Sequence, residues 1–262
     1  MRVGILIRTW EFEVKAESLI RIAVVAGFIV LIELLCRSGI IPSSVLIPPS
    51  AMFTHGIDLL RSGKFDHDIV TSLVNIVAAS IVSVLLGFVL GLGIHALPSV
   101  RRSIEPLLSS YYAIPTFIFY PVFIVILGIG SLPIIAIAVM LSVVTMITAT
   151  LNGLDRIPRA LHKSAQVMRL SRWRSAIYIK LPATLPYLFT GVKLSVAYAF
   201  IGVAASEFIL SGSGIGYAIG YAYNNFQNDD MYSLMLFVLV LVTLVNSVLN
   251  RIDQRFQARR RR

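Results

Sequence analysis

Few side chains in this sequence are of the types that carry out covalent chemistry. The histidines lie far apart, without the spacing or the cysteine partners of a metal site: His55, His67, His95 and His162. Ser213 lies between two glycines and could act as a nucleophile, but no histidine lies near it in an apolar run to act as its base. The glycine-rich stretch 211–216 lacks the lysine of a phosphate-binding loop. The sequence therefore predicts no catalytic residue, no metal site, and no cofactor or nucleotide bound by this chain.

The elements that position these residues are long and apolar. Hydrophobic residues make up 57% of the chain and charged residues 14%, whereas charged residues are about 25% of a typical soluble domain. Six runs approach the roughly 20 residues that a helix needs to cross a bilayer: residues 19–35, 69–97, 107–129, 132–151, 186–210 and 232–249. None alternates apolar and polar residues as a membrane β-strand does. The sequence predicts an all-α membrane protein with six transmembrane helices (19–250), an N-terminal segment (1–18) and a basic tail (251–262).

The basic residues indicate how the spans are oriented. With the N-terminus in the cytoplasm, 19 of the 23 lysines and arginines fall on the cytoplasmic side, where such residues are retained. We therefore predict a multi-pass membrane protein with both termini in the cytoplasm. The net charge of +10 lies beside the spans, where anionic lipid attracts each basic residue by about 1 kcal/mol. Membrane lipid is a predicted partner; nucleic acid is not, because no nucleic-acid motif accompanies the charge.

One long polar insert, residues 153–185, separates two of the apolar runs. Pro158 suits the first turn of a helix, and apolar residues then recur at helical spacing: Leu161, Ala165 and Met168. Ser171 can cap a second short helix that extends to Ile179. Pro182 is predicted to stop this helix and Pro186 to begin the fifth span. Such a pair of amphipathic helices either lies on the membrane surface or docks onto a soluble partner.

The insert also carries a family resemblance. Its Lys163-Ser164-Ala165, Arg169, Ile179 and Leu181-Pro182 stand at the spacing of the Glu-Ala-Ala ("EAA") loop found in permease subunits of binding-protein-dependent ABC importers. The stretches IPPS, YAIPTFIFYPVFIVILGIG and LNGLDRIPRAL resemble the same family, so the resemblance extends over residues 20–256. It implies the type I ABC importer permease fold, with a cytoplasmic coupling helix in the insert, and a location in a bacterial inner membrane. We call residues 153–185 the coupling segment.

The resemblance implies a transport subunit rather than an enzyme. The family's permeases form the translocation pathway for a small solute, and the branch that this chain resembles takes up anions such as sulfonates, taurine and nitrate. The implied partners are two ATPase subunits, which bind the ATP and Mg, an extracytoplasmic substrate-binding protein, and a second permease subunit. A homodimer is the prediction for the permease pair, and a paralogue is the alternative. A secondary transporter or channel independent of an ATPase is the competing function, but its loops would have no reason to carry this spacing.

Two residues of the coupling segment depart from the family pattern. Lys163 stands where the family has glutamate, and Arg169 stands where it has glycine. Glycine permits a left-handed backbone turn, a conformation that costs other residues about 1 kcal/mol or more. Either the turn differs in this chain or Arg169 tolerates the strain. The residues implied in ATPase coupling are Leu161, Lys163, Ser164, Ala165, Met168, Arg169, Leu170 and Ser171.

The third apolar run is the predicted lining of the pathway. Pro115 and Pro121 interrupt it, and the backbone groups that a proline frees must be satisfied inside protein or a water-filled cavity. The aromatic residues around the break either line that cavity or form an interfacial belt. The predicted pathway residues are Pro115, Phe119, Tyr120, Tyr198 and Glu207.

Three ionisable residues lie in or near the spans, where charge is costly. Lys193 can extend its amine to the membrane interface. Glu207, near the outer end of the fifth span, is predicted to serve as an outer gate or a subunit contact rather than as a ligand of an anion. Glu33 has a counterpart in the family but no predicted role.

Overall fold

The computed structural model describes the backbone of residues 2–260 and the side chains of residues 19, 20, 22–161, 163–171 and 173–255. Every regular element within that backbone is helical, as predicted. In chain order the α-helices are α1 (Arg2–Arg37), α2 (Pro49–Ser62), α3 (Asp66–Ala96), α4 (Pro98–Ser110), α5 (Tyr120–Leu127), α6 (Ser131–Asp155), α7 (Arg159–Val167), α8 (Arg172–Ser175), α9 (Leu181–Leu210), α10 (Ile215–Asn224) and α11 (Asn228–Arg260). Two 3₁₀ turns, Tyr111–Ala113 and Thr116–Phe119, separate α4 from α5, and a π-helical turn, Ala176–Lys180, joins α8 to α9.

Long apolar helices carry five of the six predicted spans. The segments Asp66–Ala96, Ser131–Asp155, Trp173–Asn224 and Asn228–Arg255 are each long and apolar enough to cross a membrane. The pair Pro98–Ala113 and Thr116–Leu127 meets the same criterion when it is taken as one span bent by 92°. The remaining run, 19–35, lies within α1, which is not among the spans found in the described residues. The all-helical membrane fold is confirmed, and the count of six stays a prediction.

Small residues bring the three central helices, α3, α6 and α9, close together. A Cβ atom added at Gly87 of α3 would lie 2.7 Å from the Cβ of Met146 in α6. One added at Gly191 of α9 would lie 2.5 Å from the Cβ of Ala149, also in α6. Membrane helices pack through such small residues because lipid supplies no hydrophobic force between them. Both glycines therefore set the spacing of the central bundle.

Hydroxyl groups complete the contact between these three helices. Ser83 of α3 shares a hydrogen bond with Ser142 of α6, and Thr145 of α6 shares one of 2.8 Å with Ser195 of α9. All four side chains are buried. A hydroxyl group without a partner is costly in an apolar interior, so these bonds favour the observed pairing of the helices over other registers.

The bend between α4 and α5 follows from the first of the two prolines. Ile114 adopts an extended conformation (φ −86°, ψ 117°), because the ring of Pro115 disfavours a helical backbone at the residue before it. Pro121 was predicted to interrupt the helix as well. It lies instead in the first turn of α5, where its missing N–H costs nothing. Pro115 alone accounts for the break.

The prolines at the end of the coupling segment also act differently from prediction. Pro182 does not stop the second short helix, and Pro186 lies inside α9 rather than at its start. The π-helical turn directly precedes α9, and its wider backbone bond runs from the N–H of Leu181 to the carbonyl of Ala176. Pro182 falls in the first turn of α9, where proline is tolerated. The coupling segment therefore continues into α9 without a break.

Glu33, which had no predicted role, joins α1 to α2. Its carboxyl accepts hydrogen bonds from the backbone N–H and the hydroxyl of Ser50 (3.0 and 2.6 Å) and from Arg37 Nε (2.5 Å). Ser50 lies in the first turn of α2, whose N-cap residue, Pro48, makes no side-chain cap bond. A carboxylate at a helix N-terminus satisfies a free N–H and complements the helix dipole. Glu33 thus caps α2 from the neighbouring helix.

Candidate functional site

The coupling segment forms two short helices, as the sequence predicts. Pro158, with φ −58° and ψ 136°, is the N-cap of α7. The hydroxyl of Ser171 accepts a 3.4 Å hydrogen bond from the backbone N–H of Arg174, which caps α8. The segment lies at the end of the bundle formed by the C-terminal ends of α3 and α6 and the start of α9. We call this the coupling end, and the opposite end, at α10, the far end.

The turn between α7 and α8 decides between the two alternatives for Arg169. Arg169 has a φ of 48°, which is the left-handed conformation. The backbone N–H of Leu170 donates to the carbonyl of Ala165 (3.1 Å) and that of Arg169 to the carbonyl of Gln166 (3.0 Å). These are the two hydrogen bonds of a Schellman motif, which usually places glycine where Arg169 stands. The left-handed turn is present in this chain, and Arg169 carries its strain.

The predicted apolar stripe of α7 splits into a buried and an exposed part. Ala165 is only 6% exposed, and α7 packs against the π-helical turn. Val167, Met168 and Trp173 are 83%, 66% and 80% exposed. Ala165 was predicted to lie on the docking face, but its burial places it inside the segment. Of the other residues implied in coupling, Lys163, Ser164, Arg169 and Ser171 are exposed and Leu161 and Leu170 are half-buried.

A groove of about 250 Å³, with polar side chains set in a mostly apolar surface, lies between the first 3₁₀ turn, α6 and α9. Its lining is Tyr112, Thr145, Thr148, Ala149, Asn152, Tyr187, Thr190, Leu194 and Tyr198. The rings of Tyr112 and Tyr198 meet at one side of the groove, with centroids 5.6 Å apart and planes tilted by 33°. The lining contains hydroxyl and amide groups and no charged side chain. The hydroxyls of Thr145, Thr148 and Thr190 donate to carbonyls of their own helices. The tyrosine hydroxyls and the amide of Asn152 are the neutral donors that can hold a small polar molecule.

The predicted pathway residues are only partly brought together. Tyr198 lines the groove, while Pro115 and Phe119 are exposed at the bend. Tyr120 does not line it, because its ring is 2% exposed in the apolar core and its hydroxyl donates to the carbonyl of Leu210 at 2.7 Å. The structure therefore reassigns Tyr120 from the pathway to the packing of α5 against α9.

Sequence reasoning missed most of the groove, although a signal was present. On α6, residues 145, 148, 149 and 152 recur at helical spacing, and all but one of them are polar. On α9, residues 187, 190, 194 and 198 also recur at helical spacing, and all but one of them are polar. Polar side chains that recur on one face of an apolar span indicate a helix that faces a cavity. The groove could have been found from that pattern.

Glu207 is held inside the chain at the far end. One carboxyl oxygen accepts hydrogen bonds from the hydroxyl of Ser72 and the backbone N–H of Gly216 (3.2 Å), and the other accepts from the amide of Asn75 (3.1 Å). The hydroxyl of Ser72 in turn accepts from the backbone N–H of Ile215 (2.7 Å). Glu207 is 1% exposed, so its carboxyl joins α3, α9 and α10 and offers no surface for the predicted subunit contact.

The glycines of the 211–216 stretch make this arrangement possible. Gly214 has a φ of 103°, and a Cβ atom there would lie 2.3 Å from the Cδ of Glu207. Its backbone N–H donates to Asp68 at 2.8 Å. A residue with a side chain would be both strained and in collision. The glycine-rich stretch thus folds around a carboxyl of the same chain instead of a phosphate.

Lys193 also has a partner within the chain. Its amine donates to Asp253 (2.8 Å) and to Asn250 (3.1 Å), both on α11. Asp253 lies beyond the sixth apolar run, so this ion pair between α9 and α11 is compatible with the predicted extension of the amine to the membrane interface. The cost of placing an amine in a span is lowered by a neighbouring carboxylate.

The family follows from a direct comparison. The sequence profile described as "Binding-protein-dependent transport system inner membrane component" matches residues 83–262, more than half of the chain. The chain belongs to this family. The resemblance seen in the coupling segment is thereby confirmed, and the protein is a membrane permease of an inner-membrane transporter family.

Individual relatives agree with this assignment. Over 187 residues the chain is 25% identical to the nitrate import permease protein NrtB of Leptolyngbya laminosa, covering 71% of this chain and 67% of the relative. It is 29% identical over 238 residues to a probable ABC transporter permease protein of Haemophilus influenzae, covering 88% and 93%. A solved inward-facing structure of the MetNI methionine ABC transporter shares the fold, with a TM-score of 0.60 and 22% identity over 72% of this chain and 96% of that chain.

Proposed function

We propose that this permease is the transmembrane subunit of an ATP-driven importer, and that its groove forms part of the pathway for a small inorganic or organic anion. The groove carries the proposal. Its tyrosine hydroxyls and the amide of Asn152 can donate to an anion's oxygens, and the lining has no carboxylate to repel one. Relatives named as nitrate and bicarbonate permeases support an anion.

The exposed face of the coupling segment is the proposed docking site for the ATPase. Val167, Met168 and Trp173 present apolar surface, and Lys163 adds a charge beside it. Large exposed apolar side chains rimmed by polar ones are typical of a protein contact. In this proposal two ATPase subunits bind the ATP and Mg, a binding protein delivers the anion from outside, and two copies of the permease enclose the pathway. Both termini then lie in the cytoplasm.

Purification of the tagged permease in mild detergent tests the assembly. An ATPase subunit should co-purify, and proteoliposomes should accumulate nitrate, bicarbonate or taurine only with ATP inside and binding protein outside. Uptake that continues without any ATPase would favour the secondary transporter instead.

The role of the groove is tested with a matched pair of variants. Tyr198 and Tyr221 each lie with their ring against that of another tyrosine, but only Tyr198 lines the groove. Tyr198→Phe removes a hydroxyl that can donate to the imported anion and should raise the KM for that anion roughly fivefold, as expected for one lost hydrogen bond. Tyr221→Phe should leave the KM unchanged. Equal KM values for both variants would remove the groove from the pathway.

A further inference from the structure

The helix α4 is weakly anchored in the bundle. None of its residues is buried. Among the described side chains, the hydrogen bonds that join α4 to another helix come from Arg101, whose Nη1 and Nη2 donate to the two carboxylate oxygens of Asp155 at 2.7 and 2.5 Å. A guanidinium that grips both oxygens of one carboxylate fixes orientation as well as distance. The position of α4 therefore depends on this pair, which we call the α4 clamp.

The clamp joins the start of the coupling segment to α4, the helix that leads to the groove. Asp155 is the last residue of α6, and α7 begins shortly after it, behind its N-cap Pro158. At its other end α4 leads into the 3₁₀ turn that contains Tyr112, whose ring meets Tyr198 in the groove. A shift of the coupling segment can therefore reach the groove lining through the clamp and α4.

We infer that the α4 clamp, Arg101–Asp155, transmits the position of the coupling segment to Tyr112 in the groove, and that it opens and re-forms during each transport cycle. Arg101 and Asp155 are positioning residues in this role, since neither lines the groove. The inference rests on the proposed function, in which the coupling segment is moved by an ATPase.

Each residue of the clamp has a second polar side chain nearby, which makes the clamp suitable for opening. Glu105, one turn along α4, lies 3.9 Å from Nε of Arg101, and Nδ1 of His95 lies 3.6 Å from Asp155. When α4 and α6 separate, Arg101 keeps the carboxylate of Glu105. Asp155 then lies near Nδ1 of His95, which makes no hydrogen bond to another described residue. The side chains are also 25% and 36% exposed. Removing one partner from a fully buried pair leaves an uncompensated charge, and this arrangement avoids that cost.

The clamp is tested first on the purified permease in nanodiscs, without any partner. Hydrogen–deuterium exchange over residues 99–113 should be faster in Arg101→Ala and in Asp155→Asn than in the wild type. Arg102→Ala removes a neighbouring basic residue outside the clamp and should leave exchange unchanged. Unchanged exchange in both clamp variants would overturn the inference at this step, whatever the permease transports.

The second test uses the assembled complex, with nitrate as the probe. Arg101→Ala and Asp155→Asn should keep the ATPase subunits and the basal ATP hydrolysis, while nitrate imported per ATP falls about fivefold or more, the range of typical coupling energies. The double variant should lose no more than either single variant, because both changes remove one linkage. Asp155→Glu retains a carboxylate and should recover most of the loss. A Lys193→Ala variant breaks an ion pair away from the groove and should keep the wild-type ratio.

The role of Glu105 is tested separately. Glu105→Gln should lower the maximal rate of uptake with the KM unchanged, because opening then leaves Arg101 without a carboxylate. Additive losses in the double variant, or a wild-type ratio in both single variants, would refute the clamp while the transport function stands. Loss of the ATPase from the wild type itself would instead refute the proposed function.

Discussion

The two ends of this permease differ in burial: the far end is closed by buried hydrogen bonds, and the coupling end exposes apolar side chains. At the far end, Glu207 is 1% exposed and its carboxyl is bound by three donors from α3 and α10. At the coupling end, Val167 and Trp173 are at least 80% exposed, and Arg169 carries backbone strain. Buried hydrogen bonds and close contacts fix the first region to the bundle. Exposed apolar side chains leave the second region able to bind a partner.

The contrast shows where conformational freedom is concentrated. The far end has polar groups inside an apolar bundle, where each must be paired within the chain, so a change in one helix affects three. The coupling end relies on the α4 clamp and on local turns, which are partly exposed and can break at little cost. We therefore expect substitutions at the far end to act mainly on stability and those at the coupling end mainly on partner binding.

The largest effect is expected from a side chain added at Gly216. A Cβ atom there would lie 2.5 Å from the carbonyl oxygen of Ala204 and 2.8 Å from the backbone nitrogen of Phe208. Gly216→Leu should destabilise the fold by more than about 3 kcal/mol, because backbone cannot move aside as a side chain can. Gly212 lies in the same stretch with nothing within 4 Å of an added Cβ, so Gly212→Leu is the control. Thermal unfolding of both variants in detergent measures the difference, and equal unfolding temperatures would show that the far end is not tightly packed.

Removal of the Glu207 carboxyl should have the next largest effect. Glu207→Ala leaves the amide of Asn75 and the N–H of Gly216 buried without an acceptor, which should cost about 2 kcal/mol or more. Glu207→Gln retains one acceptor oxygen and should lose less. Chemical denaturation of the purified protein gives both values. A Glu207→Ala variant as stable as the wild type would mean that these bonds do not hold α10 in place.

Partner binding should respond at the coupling end without a loss of stability. Trp173→Glu places a charge on the exposed apolar face and should weaken binding of the proposed ATPase subunit by about 2 kcal/mol, roughly thirtyfold. Arg159→Ala should change binding little, because an exposed charge contributes little. The measurement is the amount of ATPase retained on the purified permease, together with its unfolding temperature.

Ala165→Asp tests whether Ala165 belongs to the packed interior of the coupling segment or to its docking face. Since Ala165 is buried, the aspartate should lower the unfolding temperature before any partner is added. A variant that is fully stable but has lost the ATPase would return Ala165 to the docking face.

The smallest effect is expected at Arg169. Arg169→Gly removes a Cβ from a left-handed position and should stabilise the turn by about 1 kcal/mol. Arg169→Ala keeps the Cβ and should not. Hydrogen–deuterium exchange over residues 164–175 detects the difference. Slower exchange in the glycine variant is the expected result, and faster exchange would mean that the arginine side chain itself stabilises the turn.

The sequence by itself determined the features that depend on neighbouring residues. Apolar runs of span length located five helical segments, Pro115 located the break between α4 and α5, and Ser171 located the cap of α8. The spacing around Ala165 and Arg169 identified the family. Each of these signals lies within a few residues of the structure that it predicts, because helix periodicity, proline sterics and capping are local effects.

Only the tertiary structure decided which side chains are buried and what they meet. Glu207 is bound by Ser72 and Asn75, more than 130 positions away in the sequence, and Asp155 is bound by Arg101 from a helix that begins after a different span. Ala165 and Met168 belong to one periodic stripe, yet packing buries the first and exposes the second. A stripe records only that a face is apolar, whereas its partner is set by how helices from distant parts of the chain approach one another.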